Sequence, residues 1–158
     1  MNDQPRFSLR LLGGFALERD AQPCKLAYEK GRALLALLGT EPGRAHSRTA
    51  LAAMFWPGLE RESGLSNLRL ILHNLRQVLN ATNPEKPLLQ IDRESIRLDP
   101  EGHLEIDAAA FSAPAAVCPA TPFPAHCTLC LAQMEVIAGR YQGEFMAGFS
   151  LPECPDFE

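Results

Sequence analysis

The longest periodic segment of the chain runs from about Glu62 to Asn80, and it limits the possible folds more than any other stretch. At about 100° of turn per residue, Leu72, Leu75 and Leu79 fall within about 40° of Leu68, and Ile71 within about 60°. Val78 lies at the edge of this stripe. An apolar stripe of that width predicts a helix with one face in a core. The opposite face carries Ser63, Ser66, Leu70, His73, Asn74 and Gln77. Arg69 and Arg76 flank it on one side, and Asn67 on the other.

Two readings of that outer face are open. It is an ordinary solvated face, or it is a surface that meets a polyanion. Asn and Gln pair in bidentate fashion with adenine, Arg does so with guanine or holds a phosphate, and a leucine touches a thymine methyl. Solvated faces usually carry more Glu and Lys and rarely display a leucine. From Gly64 to Asn80 there is no acidic residue, so a DNA-facing length would meet no like charge. Ser63 and Ser66 stand at the end that enters the groove first in helix-turn-helix docking.

The elements around this helix set the fold class. Phe7, Leu9 and Leu11 alternate with Ser8 and Arg10, Gly13-Gly14 marks a turn, and Phe15-Ala16-Leu17 resumes extended structure. A small antiparallel sheet of three or four strands is expected over 6–28. Ala33, Leu34, Leu37 and Leu38 predict a helix from Glu29 to about Thr40, stopped by Glu41-Pro42-Gly43. Ser47 suits an N-cap for a helix from Arg48 to about Phe55, ended by Trp56-Pro57-Gly58. Leu88–Ile91 and Ser95–Leu98 read as a hairpin with Arg93 at its tip, and 103–106 as a further strand. Asp107 caps a short helix. Strands, three helices and a hairpin in that order predict an α+β winged helix-turn-helix over 6–106, with an N-terminal antiparallel sheet and a C-terminal hairpin wing. Arg93 is then placed to reach a DNA backbone or minor groove, although a solvated turn arginine is the commoner case.

A short helical segment follows. Residues 112–125 hold Pro114, Pro119, Pro122 and Pro124 among alanines, as a linker does. From Thr128 to about Tyr141, Leu131, Met134, Ile137 and Ala138 share one helical face that the remaining residues do not obviously bury. Residues 107–158 therefore read as the truncated beginning of a second, helical domain. Charge separates the two parts. Residues 1–100 hold 14 Lys/Arg against 11 Asp/Glu, whereas 101–158 hold only Arg140 against 8 acids. Only the first part favours phosphates.

With these elements in place, the chain resembles SARP/AfsR-type bacterial regulators. The resemblance rests on Lys30–Leu38, Glu41-Pro42-Gly43-Arg44, Ser47-Arg48, Leu51-Ala52, Phe55-Trp56-Pro57, Asn67-Leu68-Arg69 and His73-Asn74-Leu75-Arg76. It covers about residues 6–111. Further on, Leu131, Tyr141–Phe145 and Ala147-Gly148-Phe149 look like the start of that family's bacterial transcriptional activator domain, a tetratricopeptide-like array. The resemblance implies an OmpR/PhoB-type winged helix and a sequence-specific transcriptional regulator, usually an activator, working on double-stranded DNA. It also implies contact of the 57–62 loop with RNA polymerase, and dimers on direct-repeat DNA. Ser66, Asn67, Arg69, Leu70, His73, Asn74, Arg76 and Gln77, with Arg93 on the wing, are the expected DNA-contacting residues. Asn74 departs from the pattern, since the family often has Arg there.

Other chemistry finds little support. His126-Cys127-x-x-Cys130 is the one cluster with metal-like spacing, and Cys118 and Cys154 are the further candidate ligands. A second such pair is missing, so no metal and no cofactor are expected. Five cysteines without a signal peptide argue against a secreted disulfide framework. No apolar run reaches the roughly 18 residues of a membrane span, so a cytoplasmic protein is expected. No Ser/His/Asp triad or carboxylate pair suggests an enzyme. The alternative from another class is a protein–protein interaction module that keeps a winged-helix shape without binding DNA.

Overall fold

Buried Phe7 and Leu9 alternate with exposed Ser8 and Arg10 along the first strand, so one face of the N-terminal sheet meets the core and the other meets solvent. The computed structural model describes residues 6–80, 85–112 and 128–158. Among them the elements follow in the order β1 (Phe7–Arg10), β2 (Ala16–Arg19), β3 (Gln22–Pro23), α1 (Glu29–Thr40), β4 (His46–Ser47), α2 (Arg48–Phe55), α3 (Arg61–Leu79), β5 (Leu89–Ile91), β6 (Ser95–Leu98), β7 (Leu104–Ile106), α4 (Asp107–Ser112) and α5 (Thr128–Arg140). The fold is mixed α+β.

The first sheet has the order β3-β2-β1-β7. β1, β2 and β3 pair antiparallel, with Leu9 opposite Leu17, as expected from the alternation. β7, from outside this stretch, extends the sheet by joining β1 in parallel with Leu9 opposite Ile106. A parallel neighbour needs a long crossover, and here the crossover is the entire helical layer and the hairpin. A reading confined to residues 6–28 had no access to it.

α1 lies at the centre. Gly31, Ala33, Leu34, Leu35, Ala36, Leu38 and Gly39 are all buried. Its last turn packs on the first sheet: a Cβ on Gly39 would stand 3.0 Å from Leu9 and 3.6 Å from Ile106. Its first turn faces α3, where Gly31 approaches Ile71. The apolar stripe of α3 is buried as its period requires, with Leu68, Ile71, Leu72, Leu75 and Leu79 all inside. α2 caps on Ser47, whose side chain accepts from the Ala50 N–H, and Ala52 receives Gly64 of α3 at close range.

A second sheet has the order β4-β6-β5, with β6 against α1 and β5 against α3. β5 and β6 form the expected hairpin. β4, only His46-Ser47, pairs with Ile96 and Ser95 of β6. Asn80, just past α3, joins the two systems. Its side-chain amide donates to the Leu89 carbonyl at 2.9 Å and accepts from the Leu89 N–H at 3.0 Å, as a neighbouring strand would.

The chain beyond α5 returns to the first sheet. Leu12 bridges Phe145, and the Met146 N–H donates to the Leu11 carbonyl. Met146, Leu151 and Cys154 are buried in the same core as α1 and α2, and Phe157 packs on Phe55 with ring centroids 5.6 Å apart. Gly13 has φ +83° and approaches so closely that a Cβ there would sit 2.7 Å from the Gln142 carbonyl oxygen. Asp107, at the start of α4, accepts from the N–H groups of Leu11 and Leu12. α5 itself leaves Leu131, Met134 and Val136 exposed.

Candidate nucleic-acid interface

The first turn of α3 follows Glu60, whose side chain makes no capping bond, and Glu62 is the one acid in that turn. Negative charge there suits the positive end of the helix dipole. Beyond it, the outer face presents Ser66, Arg69, Leu70, His73, Arg76 and Gln77, all exposed, with Asn67 half-buried. Most of the sequence-derived face is thus solvent-facing, with Asn67 and Asn74 half-buried. Leu70 is 51% exposed, an apolar side chain left in water at the middle of an otherwise polar surface.

Two members of this face are tied to each other. The Nε2 atoms of Gln77 and His73 lie 3.0 Å apart, one turn along the helix. This pairing holds the Gln77 amide and the His73 imidazole against each other. Asn74 is placed differently from its neighbours. It is half-buried, and its Oδ1 is enclosed without a hydrogen-bond partner. Whichever way the amide is turned, one of its two polar atoms is inside. Bidentate pairing with adenine needs both, so Asn74 in this rotamer offers a partner a single polar atom.

Between α3 and the β5–β6 hairpin lies a cleft of about 500 Å³, lined by His73, Arg76, Gln77, Asn80, Pro87, Leu89 and Ile91. Arg93 is exposed at the hairpin tip between the exposed acids Asp92 and Glu94. The tip therefore carries mixed charge, and its guanidinium is the only cation of that triplet. Arg97, on the same hairpin, is exposed and donates through Nε to Gln90 Oε1 at 2.7 Å. On the other flank of α3, Asn67 and Leu70 border a groove of about 420 Å³ with Tyr28, Lys30, Trp56 and Leu151. The turn between α2 and α3 displays Leu59, 47% exposed.

Arg48 is not among the contact residues expected from the sequence, where it reads as the first residue of a helix and as part of the Ser47-Arg48 motif. Its backbone N–H donates to the Glu94 carbonyl at 2.8 Å, and its Nη1 reaches the carbonyls of Asp92 and Arg93 at 3.2 and 3.5 Å. No local signal marks it, since its partners lie more than forty positions away.

Of the cysteines considered as metal ligands, Cys154 is fully buried, and its Sγ donates to the Phe55 carbonyl at 3.2 Å. Burial pushes this thiol up from its ordinary pKa, against the pull of Lys30. Cys118, Cys127 and the side chain of Cys130 lie outside the described residues. Among the described residues no group of three His, Cys, Asp or Glu side chains is placed to hold a metal, and no helix is long and apolar enough to cross a membrane.

No protein-family model and no curated protein matches the sequence. Among solved structures, the chain is similar to Mycobacterium tuberculosis EmbR in complex with a low-affinity phosphopeptide, with a TM-score of 0.67 and 20% sequence identity. The match covers 90% of this chain and 38% of the EmbR chain, so the chain spans well under half of that protein's length. At this identity the likeness speaks for the fold alone: the α+β arrangement described above is one that this chain shares with part of EmbR.

Proposed function

We propose that the chain is a sequence-specific DNA-binding transcriptional regulator of the SARP type. In this reading residues 6–106 form a winged helix-turn-helix and residues 107–158 begin a helical activator domain. α2 and α3 are the helix-turn-helix, α3 lies in the major groove, and the β5–β6 hairpin is the wing. The observation that carries it is the outer face of α3. It is largely exposed and acid-free from Gly64 to Asn80, built from groups that read base edges, and set beside a hairpin bearing Arg93. The fold that the chain shares with part of EmbR accords with the α+β arrangement this reading needs.

The roles divide by position. Ser66, Asn67, Leu70, His73, Asn74 and Gln77 face the bases. Arg69 and Arg76 flank them and hold phosphates. Arg93 takes the backbone or minor groove, which adds affinity without sequence information. Activation runs through the 57–62 turn, where exposed Leu59 offers RNA polymerase an apolar contact. Head-to-tail dimers on direct repeats and a cytoplasmic location complete the proposal.

The test is selection of binding sites from random DNA by the 158-residue chain, followed by titration at several salt concentrations. Affinity for the selected sequence falls as salt rises, in proportion to the phosphates neutralised. Gln77→Ala relaxes preference at one base pair and costs about 1–3 kcal/mol, whereas Arg93→Ala weakens all sequences alike. Absence of binding at low salt, or binding indifferent to salt, ends the DNA reading. The second reading, a protein-interaction module, draws on the groove formed by Tyr28, Trp56, Leu70 and Leu151. It gains if the titration finds no DNA affinity.

A further inference from the structure

We infer that Arg48 is a positioning residue of the interface: it clamps the hairpin tip to the first turn of α2 and so sets where Arg93 is presented. The inference rests on the DNA-binding reading for its functional meaning, but its geometry stands apart from it. Three successive carbonyls of the tip converge on this one residue. Glu94 O accepts the Arg48 backbone N–H at 2.8 Å, Asp92 O accepts Nη1 at 3.2 Å, and Arg93 O stands at 3.5 Å from the same nitrogen. Converging carbonyl dipoles repel one another, and a cation between them offsets that repulsion through charge-assisted bonds. The tip has one further internal tie, from the Asp92 N–H to the Ser95 carbonyl at 2.9 Å.

The neighbouring pairing is too short to do this alone. β4 contributes two residues to the sheet, and Ser47 opposite Ser95 is its last rung before α2 begins. Arg48 continues that ladder past the point where the strand becomes a helix. Its Nε is enclosed with no partner, a cost of desolvation that better placement for its own bonding would remove. The guanidinium is thus held where the tip carbonyls need it. α2 in turn carries α3 through the Ala52–Gly64 contact. Arg48 therefore connects the helix that faces the bases to the loop that carries Arg93.

Two measurements on the 158-residue chain test this. In the first, amide hydrogen exchange is followed in the wild type and in Arg48→Met, which keeps the stem and loses the donors. Exchange over 92–95 speeds up by about tenfold or more while the α3 amides keep wild-type protection. Arg48→Lys, which restores a charged donor, returns the tip toward wild type. Arg48→Gln gives the same pattern at smaller amplitude and replaces Arg48→Met if that variant does not fold. Unchanged exchange at 92–95 overturns the clamp, whatever the chain does with DNA.

In the second measurement, the selected DNA is titrated with Arg48→Met, Arg93→Ala and the double variant. Each single change lowers the salt slope by about one phosphate contact, and the double variant is no worse than either. Additive losses show Arg48 touching DNA in its own right and overturn the positioning role. If the wild type binds no DNA, the functional reading fails and the exchange result alone decides whether the clamp exists.

Discussion

Between β2 and β3 the chain turns through Asp20 and Ala21, both at positive φ, 50° and 63°. Asp tolerates this region and here also accepts the Arg6 N–H at 2.9 Å. Alanine does not, since its Cβ crowds the backbone by roughly 1–2 kcal/mol. Ala21→Gly relieves that strain, partly offset by glycine's greater freedom when unfolded. A gain of about 0.5 kcal/mol in urea unfolding is the expected outcome, and a loss contradicts the turn geometry. His46 supplies a pH dependence. Partial burial lowers its pKa from the ordinary 6.5, and this outweighs the raising effect of Glu41, while Arg44 lowers it further. Below 6.5 the unfolded chain takes up a proton that the folded state resists. This contribution to folding stability is therefore fully present above that pH and is lost as pH falls toward the lowered folded-state value. Unfolding curves at pH 7.5 and 5.5 show a drop that is smaller in His46→Gln. At the candidate site, single residues were partly legible. The helical wheel placed Ser66, Arg69, Leu70, His73, Arg76 and Gln77 on the outside, where they are found. It could not show that Asn74 turns one polar atom inward, because that depends on what packs beside it rather than on its angle.

Helices and strands differ in how much of themselves they advertise. α1, α2 and α3 lie within a residue or so of their expected bounds, because each carries an apolar period and a stop signal over two turns or more. β4 carries neither. Two residues cannot show a period, and His46-Ser47 become a strand only because Ile96 and Ser95 lie alongside. β7 is legible as a strand, but its parallel partner is not. The joint between α3 and the hairpin is likewise a tertiary event, made by the shared core and by the Asn80 amide. Asn80→Ala removes two hydrogen bonds to Leu89 and leaves its N–H and carbonyl to find water. The expected cost is about 1–2 kcal/mol in chemical denaturation, with faster exchange in β5 than in α1. Equal protection in both elements counts against the joint.

Over the whole molecule, the segment beyond α5 belongs energetically with α1 and α2. Met146, Leu151 and Cys154 share their core, Lys30 reaches both the Phe55 carbonyl at 2.8 Å and Glu153 at 3.7 Å, and Lys30 Nζ lies 5.1 Å from the Trp56 ring centre. Trp56 is the sole tryptophan, so its fluorescence reports on this junction. Its thermal transition coincides with that of far-UV circular dichroism if the junction and the rest melt together. Leu151→Ala lowers both by the same amount, about 2–4 kcal/mol of stability. Two separated transitions contradict a shared core. This return of the chain was not legible in the sequence, where Leu151 and Cys154 stand among prolines and acids without any period. The amide of Asn80 has a consequence at this scale as well. By fastening the end of α3 to the root of the hairpin, it makes the pair a caliper of set opening rather than two independent fingers. A caliper responds to the width of what it closes on. On the proposed DNA-binding reading, sites with the same bases facing α3 but a different groove width beneath the hairpin are therefore told apart, through positions that no side chain touches.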